Sequence, residues 1–281
     1  MAKNKRTAII VSASSDIGTA MCLRWLGAGW NILGTYRTGS SAVKKLTQKG
    51  VDLVECDLSD RGSIGNAISD IQLKCRGWDV LVLCPGSQEP VGAFIESKFD
   101  DWEKSIEVNF SGQMRLIHGL LPLRNIEHGL SPCVLFFAGG GTNNAVKNYS
   151  AYTVSKIALI KMCELLDAEI SDTRFAIIGP GWVKTKIHNS TLKAVTKAGK
   201  NYKHTLTKLA GNECTPITEI LDCCDWIINS SKQSVSGRNF SVVFDKWGTN
   251  ELKKKLLEES DMYKLRRLGN DWLVKKERDN K

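Results

Sequence analysis

Tyr152 and Lys156 are the residues whose types and spacing point most directly to chemistry. They stand four positions apart in residues 149–170, whose apolar spacing predicts a long helix, so both side chains leave one helical face. A tyrosine titrates near ~10, and a neighbouring ammonium favours the phenolate and lowers that value. Reaching ~7 takes about 4 kcal/mol of differential stabilisation. A lysine together with a second positive charge can supply it. A phenol tuned in this way donates or accepts the proton when a carbonyl and an alcohol interconvert. Alone, the spacing is a weak signal, because tyrosine and lysine meet at i and i+4 in many helices.

The elements that must position this pair alternate between strand and helix. Short apolar or β-branched runs at residues 7–11, 31–36, 51–56, 79–84, 134–138, 175–178 and 239–244 read as strands. Helices are predicted over residues 17–28, 41–48, 99–121 and 149–170, with a further one capped by Ser59 and running to about residue 75. Asp16 is the predicted N-cap of the first, Gly29 and Gly50 are stops, and Pro122 ends the fourth. Strands this apolar are buried on both faces, which implies a doubly wound parallel α/β sheet with its ligand at the carboxyl ends of the strands. Two segments break the rhythm. Residues 182–212 form a long insertion, and residues 245–281 form a charged tail without a strand pattern. The reading is one domain over residues 1–244, followed by a C-terminal extension.

Composition narrows the function classes. The chain has 281 residues, 42% hydrophobic and 25% charged, so it has a sizeable core and is not disordered. No apolar run approaches the ~18 residues of a membrane helix. Lys3, Lys5 and Arg6 precede an apolar run over residues 7–11, shorter than the ~7–15 residues of a secretory core. That run is read as the first strand. The nine cysteines include no CxxC pair and no histidine cluster, so no metal site is expected and a cytoplasmic location is. Cys223 and Cys224 read as packing residues on a helix. The net charge of +9 raises nucleic-acid binding, but the basic residues are not interleaved with aromatics and no recognition motif appears.

Further residues join the pair in order. Asn109 lies in Glu107-Val108-Asn109-Phe110, Asp57-Leu58 follows the third strand, and Pro180-Gly181 precedes Val183 and Thr185. With Tyr152-Thr153-Val154-Ser155-Lys156, these segments resemble the short-chain dehydrogenase/reductase family over nearly the whole chain. The resemblance implies a Rossmann fold and a nicotinamide dinucleotide, whose charged ring would be the second positive charge beside Tyr152. It implies that Tyr152, Lys156 and Asn109 are catalytic. Asp57 and Leu58 would lie near the adenine, and Pro180, Gly181, Val183 and Thr185 would hold the nicotinamide carboxamide. It also implies a homodimer or homotetramer built through the two long helices. The stretches FFAGGGTN and GPGWVKTKIH are similar to those of bacterial reductases tied to surface-polysaccharide synthesis, which implies a sugar or nucleotide-sugar substrate.

The departures from the family pattern matter as much. The family's first turn, TGxxxGxG, here runs from Val11 through Ser12, Ala13, Ser14, Ser15, Asp16 and Ile17 to Gly18, and keeps one glycine of three. Ser12 and Ala13 are small enough to let the backbone approach a pyrophosphate, and Ser14 and Ser15 can donate hydroxyls to it. The charge of Asp16 would repel a phosphate placed too close. The segment after the fourth strand reads Cys84-Pro85-Gly86, where Gly86 lets the chain pass near a ribose. Counting back thirteen from Tyr152 reaches Gly139, where the family has its catalytic serine. Losing such a donor costs ~10²–10³ in rate. Thr142 and the backbone N–H groups of Gly139-Gly140-Gly141 are the candidate replacements.

The second strand ends in Tyr36-Arg37 with no acidic residue for a ribose 2′-hydroxyl, so Arg37 favours NADP over NAD, with Thr38, Ser40 and Ser41 as extra donors. Residues 182–212 carry seven lysines, His188 and His204, and no acidic residue. In the family this insertion is the substrate lid. Lys193, Lys197 and Lys200 are expected on one helical face, a field that draws in an anionic small molecule. His188 is a candidate substrate contact. The tail, through Leu265, Arg266, Arg267, Leu268 and Trp272, is expected to cover the site or a neighbouring subunit. The altered turn and the missing serine leave a second reading, a dinucleotide-binding protein with little or no turnover.

Overall fold

The computed structural model describes residues 5–127 and 129–269. Seven parallel strands form one sheet in the order β3-β2-β1-β4-β5-β6-β7. In chain order the elements begin β1 (Thr7–Val11), α1 (Asp16–Gly27), β2 (Asn31–Tyr36), α2 (Ser41–Gln48), β3 (Asp52–Glu55), α3 (Arg61–Lys74) and β4 (Val80–Leu83). They continue with α4 (Phe99–Ile106), α5 (Gly112–Leu120), β5 (Cys133–Phe137), α6 (Ser150–Glu169) and β6 (Arg174–Gly179). The last are α7 (Asn189–Lys193), α8 (Lys200–Ala210), α9 (Ile217–Ile228), α10 (Lys232–Val235), β7 (Arg238–Ser241) and α11 (Asn250–Glu258).

The strand side chains divide between two cores with a period of two. Ala8, Ile10, Val80, Val82 and Leu135 join one cluster with Met21, Trp25 and Ile227. Ile9, Val11, Leu81, Leu83, Val134 and Phe136 join the other with Ile71, Leu116 and Leu159. Each fully buried aliphatic or aromatic side chain contributes roughly 1.5–3 kcal/mol, so both faces hold helices firmly. This is the doubly wound sheet the sequence predicts. Its strand order reverses between β1 and β4, which opens a crevice at their carboxyl ends.

Several local expectations are corrected. Asp60, not Ser59, caps α3, accepting from Gly62 N and Ser63 N, while Ser59 donates to Asp57. The predicted helix over residues 99–121 contains a π-helical segment, Glu107–Ser111, between α4 and α5. Gly112 just beyond it allows a close approach: a Cβ there would stand 2.2 Å from the Leu58 carbonyl oxygen. Lys193, Lys197 and Lys200 do not share a helix. α7 ends at Lys193 and α8 starts at Lys200, after Gly199 at φ +57° has turned the chain.

As far as residue 269 the tail carries a helix, α11, and folds onto its own chain. The Arg238 guanidinium on β7 donates to Leu256 O, Glu259 O and Met262 O, and Arg266 pairs with Glu164 of α6. Cys223 and Cys224 are buried on α9. Trp272 lies outside the described residues. Among the described residues, no helix is long and apolar enough to cross a membrane, and no His/Cys/Asp/Glu cluster could hold a metal ion.

Candidate active site

A cleft of about 2500 Å³ opens over the carboxyl ends of the strands. Its walls are the β1–α1 turn, the ends of β2 and β3, the loops after β4 and β5, the first turns of α6 and the chain following β6. Tyr152 and Lys156 both line it from α6. Lys156 is buried, and its ammonium donates to Pro85 O at 3.1 Å and to Phe137 O at 3.0 Å. It lies 5.8 Å from the centroid of the Tyr152 ring.

The expected acidification of the phenol draws on Lys156 and a second positive charge together; the protein's own groups give the opposite shifts. Burial pushes Tyr152 up to about 12 and pulls Lys156 down to about 8. The reason is desolvation: burial strips water from each charged form, and the two carbonyl contacts of the ammonium do not replace all of it. Gly139 lies directly against the phenol, and a Cβ added there would stand 2.7 Å from Tyr152 Oη. The tyrosine occupies room that a serine side chain would need. Thr142 lines the cleft on the loop after β5.

Asn109 is buried in the π-helical segment and faces the loop after β4. Its Oδ1 accepts from Ser87 N at 2.8 Å, and its Nδ2 donates to Ser87 O at 2.8 Å. It is not among the residues lining the cleft, and its side-chain contacts are to Ser87 and Ser105. A widened helical turn turns this side chain toward Ser87, which the Glu107-Val108-Asn109-Phe110 pattern did not reveal.

In the first turn Ser12 adopts φ 61°, the left-handed region that glycine enters freely. Its amide donates to Thr35 Oγ1 at 3.0 Å. The cap of α1 is Ser15, accepting from Gly18 N, and not Asp16. Asp16 begins the helix, and its carboxylate accepts the Lys186 amide at 2.7 Å. Gly18 is required by packing, since a Cβ there would meet Ser12 O at 2.5 Å. Ser14, Ser15 and Ile17 line the cleft beside them.

Arg37 is exposed at the end of β2 and lines the cleft, as do Asp57 and Leu58. Burial works against an ionised Asp57, but hydrogen bonds from Ser59 and the charges of Arg37 and Lys104 outweigh it and hold its pKa low. Gly86, Pro180, Gly181, Val183 and Thr185 all line the cleft. His188 is buried, stacked on Trp182 at 4.2 Å, with Nε2 on Val183 O at 2.9 Å. Burial lowers its pKa. It also lines the cleft.

Three features join distant segments, and only the last has a sequence expectation behind it, that of a tail covering the site. One is the tie between Asp16 and Lys186. Another is the chain in which Tyr149 meets Thr191 Oγ1 at 2.7 Å and Thr191 donates to Gln88 at 3.0 Å. The third is the tail, which brings Tyr263, Lys264 and Leu265 to the cleft.

A family model described as short chain dehydrogenase matches residues 6–196. The human mitochondrial dehydrogenase/reductase SDR family member 2 is 25% identical over 247 residues, 84% of this chain and 85% of that protein. A fatty acyl-CoA reductase of Acinetobacter baylyi is 28% identical over 180 residues, 61% of this chain, which spans only 60% of that enzyme. An actinorhodin polyketide ketoreductase solved with NADPH superposes with a TM-score of 0.73 at 19% identity, covering 85% of this chain and 96% of that one. At that identity the likeness shows the fold. The family match spans well over half the residues and ends past both Tyr152 and Lys156, and with it this chain belongs to the short-chain dehydrogenase/reductase family of oxidoreductases.

Proposed function

We propose that the protein reduces a carbonyl to a secondary alcohol with NADPH, on an anionic sugar or nucleotide-sugar, with Tyr152 as the proton donor. The observation that carries this reading is the buried Lys156 beside Tyr152 at the inner wall of the cleft. The residues present suit a dinucleotide. An ammonium has three N–H donors, and two of Lys156's are on Pro85 O and Phe137 O, which leaves one for a ribose hydroxyl. The N-terminus of α1 opens on the cleft, an ionised Asp57 stands at the adenine end, and Arg37 suits a 2′-phosphate. When bound, the dinucleotide supplies the hydride.

The chain's own residues handle the proton and the geometry. At about 12 the Tyr152 phenol is protonated at neutral pH, the form a reductase needs. Its Oη gives the proton to the carbonyl oxygen, and the charge of Lys156 stabilises the phenolate left behind. Thr142 and the amides of Gly139, Gly140 and Gly141 are the donors offered to that oxygen in place of serine. Asn109 fixes the loop that carries Pro85, and the Tyr149–Thr191–Gln88 chain ties the lid to that loop.

The anionic substrate rests on Lys147, Lys186 and Lys200 in the cleft wall. The sugar rests on the resemblance to surface-polysaccharide reductases. The nine free cysteines suit a reducing cytoplasm. Exposed Phe99 on α4 and Val154 and Leu165 on α6 suit assembly of a homodimer or homotetramer through these helices. Residues 182–212 are the lid and residues 245–281 the extension in this reading.

The test is a fluorescence titration with NADPH and NADH, followed by turnover of anionic keto-sugars. NADPH is expected to bind more tightly, and Arg37→Ala to lose that preference. Tyr152→Phe is expected to abolish turnover with binding retained. A protein that binds neither dinucleotide refutes the proposal. Gly139 favours the second reading, binding with little turnover, and tight NADPH binding without reduction of any carbonyl would establish it.

A further inference from the structure

The β1–α1 turn places a carboxylate at the mouth of a site that must receive a diphosphate. Asp16 stands where the family's turn has its second glycine. An acid in the first turn of a helix is favourable for the helix itself. For a phosphate arriving at the same N-terminus it is repulsive. Its partner comes from the base of the lid, 170 residues on: Oδ2 accepts the Lys186 backbone N–H at 2.7 Å, and Oδ1 lies 3.6 Å from Lys186 Nζ.

The two contacts differ in kind. The carboxylate grips the backbone closely and the ammonium loosely. The Lys186 side chain is 66% exposed, against 26% for Asp16. The backbone contact is therefore the fixed part and the ammonium the movable one. Both residues line the cleft, as does Thr185 next to the tie. The same short segment holds the Trp182–His188 stack, so one hydrogen bond anchors a structured lid base onto the turn.

We propose that Asp16 is a clasp that holds the Lys186 backbone at the N-terminus of α1, so that the Lys186 ammonium receives the diphosphate of the dinucleotide. Asp16 is then a positioning residue and Lys186 a binding residue. The lost glycine is compensated by a cation delivered from the lid. This inference rests on the dinucleotide reading of the cleft.

The sign of one substitution separates the clasp from simple repulsion. If Asp16 only repelled the diphosphate, Asp16→Ala would tighten NADPH binding. A clasp predicts the opposite, about tenfold weaker binding, because Lys186 is no longer held in place. Lys186→Met is expected to weaken NADPH by a similar factor and to flatten its dependence on salt between about 50 mM and about 500 mM. The two substitutions act through one contact, so the double variant is expected to bind about as well as either single one.

A second readout needs no dinucleotide. Trypsin cleavage after Lys184 and Lys186 is expected to quicken several-fold in Asp16→Ala. Asp16→Asn keeps an oxygen for the Lys186 amide and restores resistance. Asp16→Ala that binds NADPH as tightly as the parent, or additive effects in the double variant, would overturn the clasp while leaving the reductase reading intact. A parent protein that binds neither NADPH nor NADH would sink both.

Discussion

Installing the family's serine at position 139 is expected to impair this enzyme. A Cβ on Gly139 would stand 2.7 Å from Tyr152 Oη, 2.8 Å from Cε1 and 2.9 Å from Cζ. Carbon atoms in contact prefer roughly 3.5–4.0 Å, so the ring must withdraw by about 1 Å. It is the end of a two-torsion side chain, and swinging it costs only about 0.5–1.5 kcal/mol. Stability therefore changes little. The proton donor, however, moves by the distance that typically costs ~10²-fold in rate, or about 2.7 kcal/mol on the barrier. The serine hydroxyl would be a useful donor only with the phenol still in place. Gly139→Ser and Gly139→Ala are both expected to lose ~10² in kcat with NADPH affinity within about threefold. The assay is single-turnover carbonyl reduction at saturating NADPH, with urea unfolding in parallel. A serine variant faster than the parent, or more than about tenfold faster than the alanine variant, would refute the steric argument.

Other expectations follow from contacts already described. Lys156 has a folded pKa of about 8 against 10.5 for a free lysine, so between those values the unfolded chain binds more protons and stability rises with pH. Its burial costs stability at neutral pH. Lys156→Met removes that pH dependence, so urea titrations are expected to show the parent gaining stability relative to the variant between pH 8 and 10.5, while turnover is lost. Ser12 holds a left-handed conformation at φ 61°, and Ser12→Gly is expected to raise the urea midpoint by up to about 1 kcal/mol equivalent. Arg238→Ala removes the donors to Leu256 O, Glu259 O and Met262 O, and limited proteolysis should then clip the tail first.

The fold was legible because its signal is local. Strands such as β4 and β5 are apolar on every residue and helices follow them, which only a covered parallel sheet accommodates. The insertion over residues 182–212 was misread for an equally local reason: lysines at helical spacing suggest a helix, but Gly199 at φ +57° breaks the run, and spacing carries no record of backbone sign. Asp16 was read as a cap because its type suits one, yet Ser15 suits it as well and stands one residue earlier. Pairings such as Arg238 with the tail depend on strands adjacent only in space, and no pattern within a window can show them.

The spacing of Tyr152 and Lys156 was legible in the sequence, but their electrostatics were not. Four residues of helix bring a lysine near a tyrosine in any solvent, and a phenol acidified by that lysine and a second positive charge was the expected result. In the fold both groups face the inner wall of the cleft, where desolvation acts on each before they act on one another. Tyr152 is driven up to about 12 and Lys156 down to about 8, so a neutral phenol beside a weakly held ammonium proton is the resting state. Such a pair suits the proposed reduction, in which the phenol starts protonated. Anything that adds positive charge to the cleft lowers the phenol pKa. How deeply α6 buries its first two turns, and not the YxxxK spacing, therefore sets the protonation from which the proposed proton transfer starts.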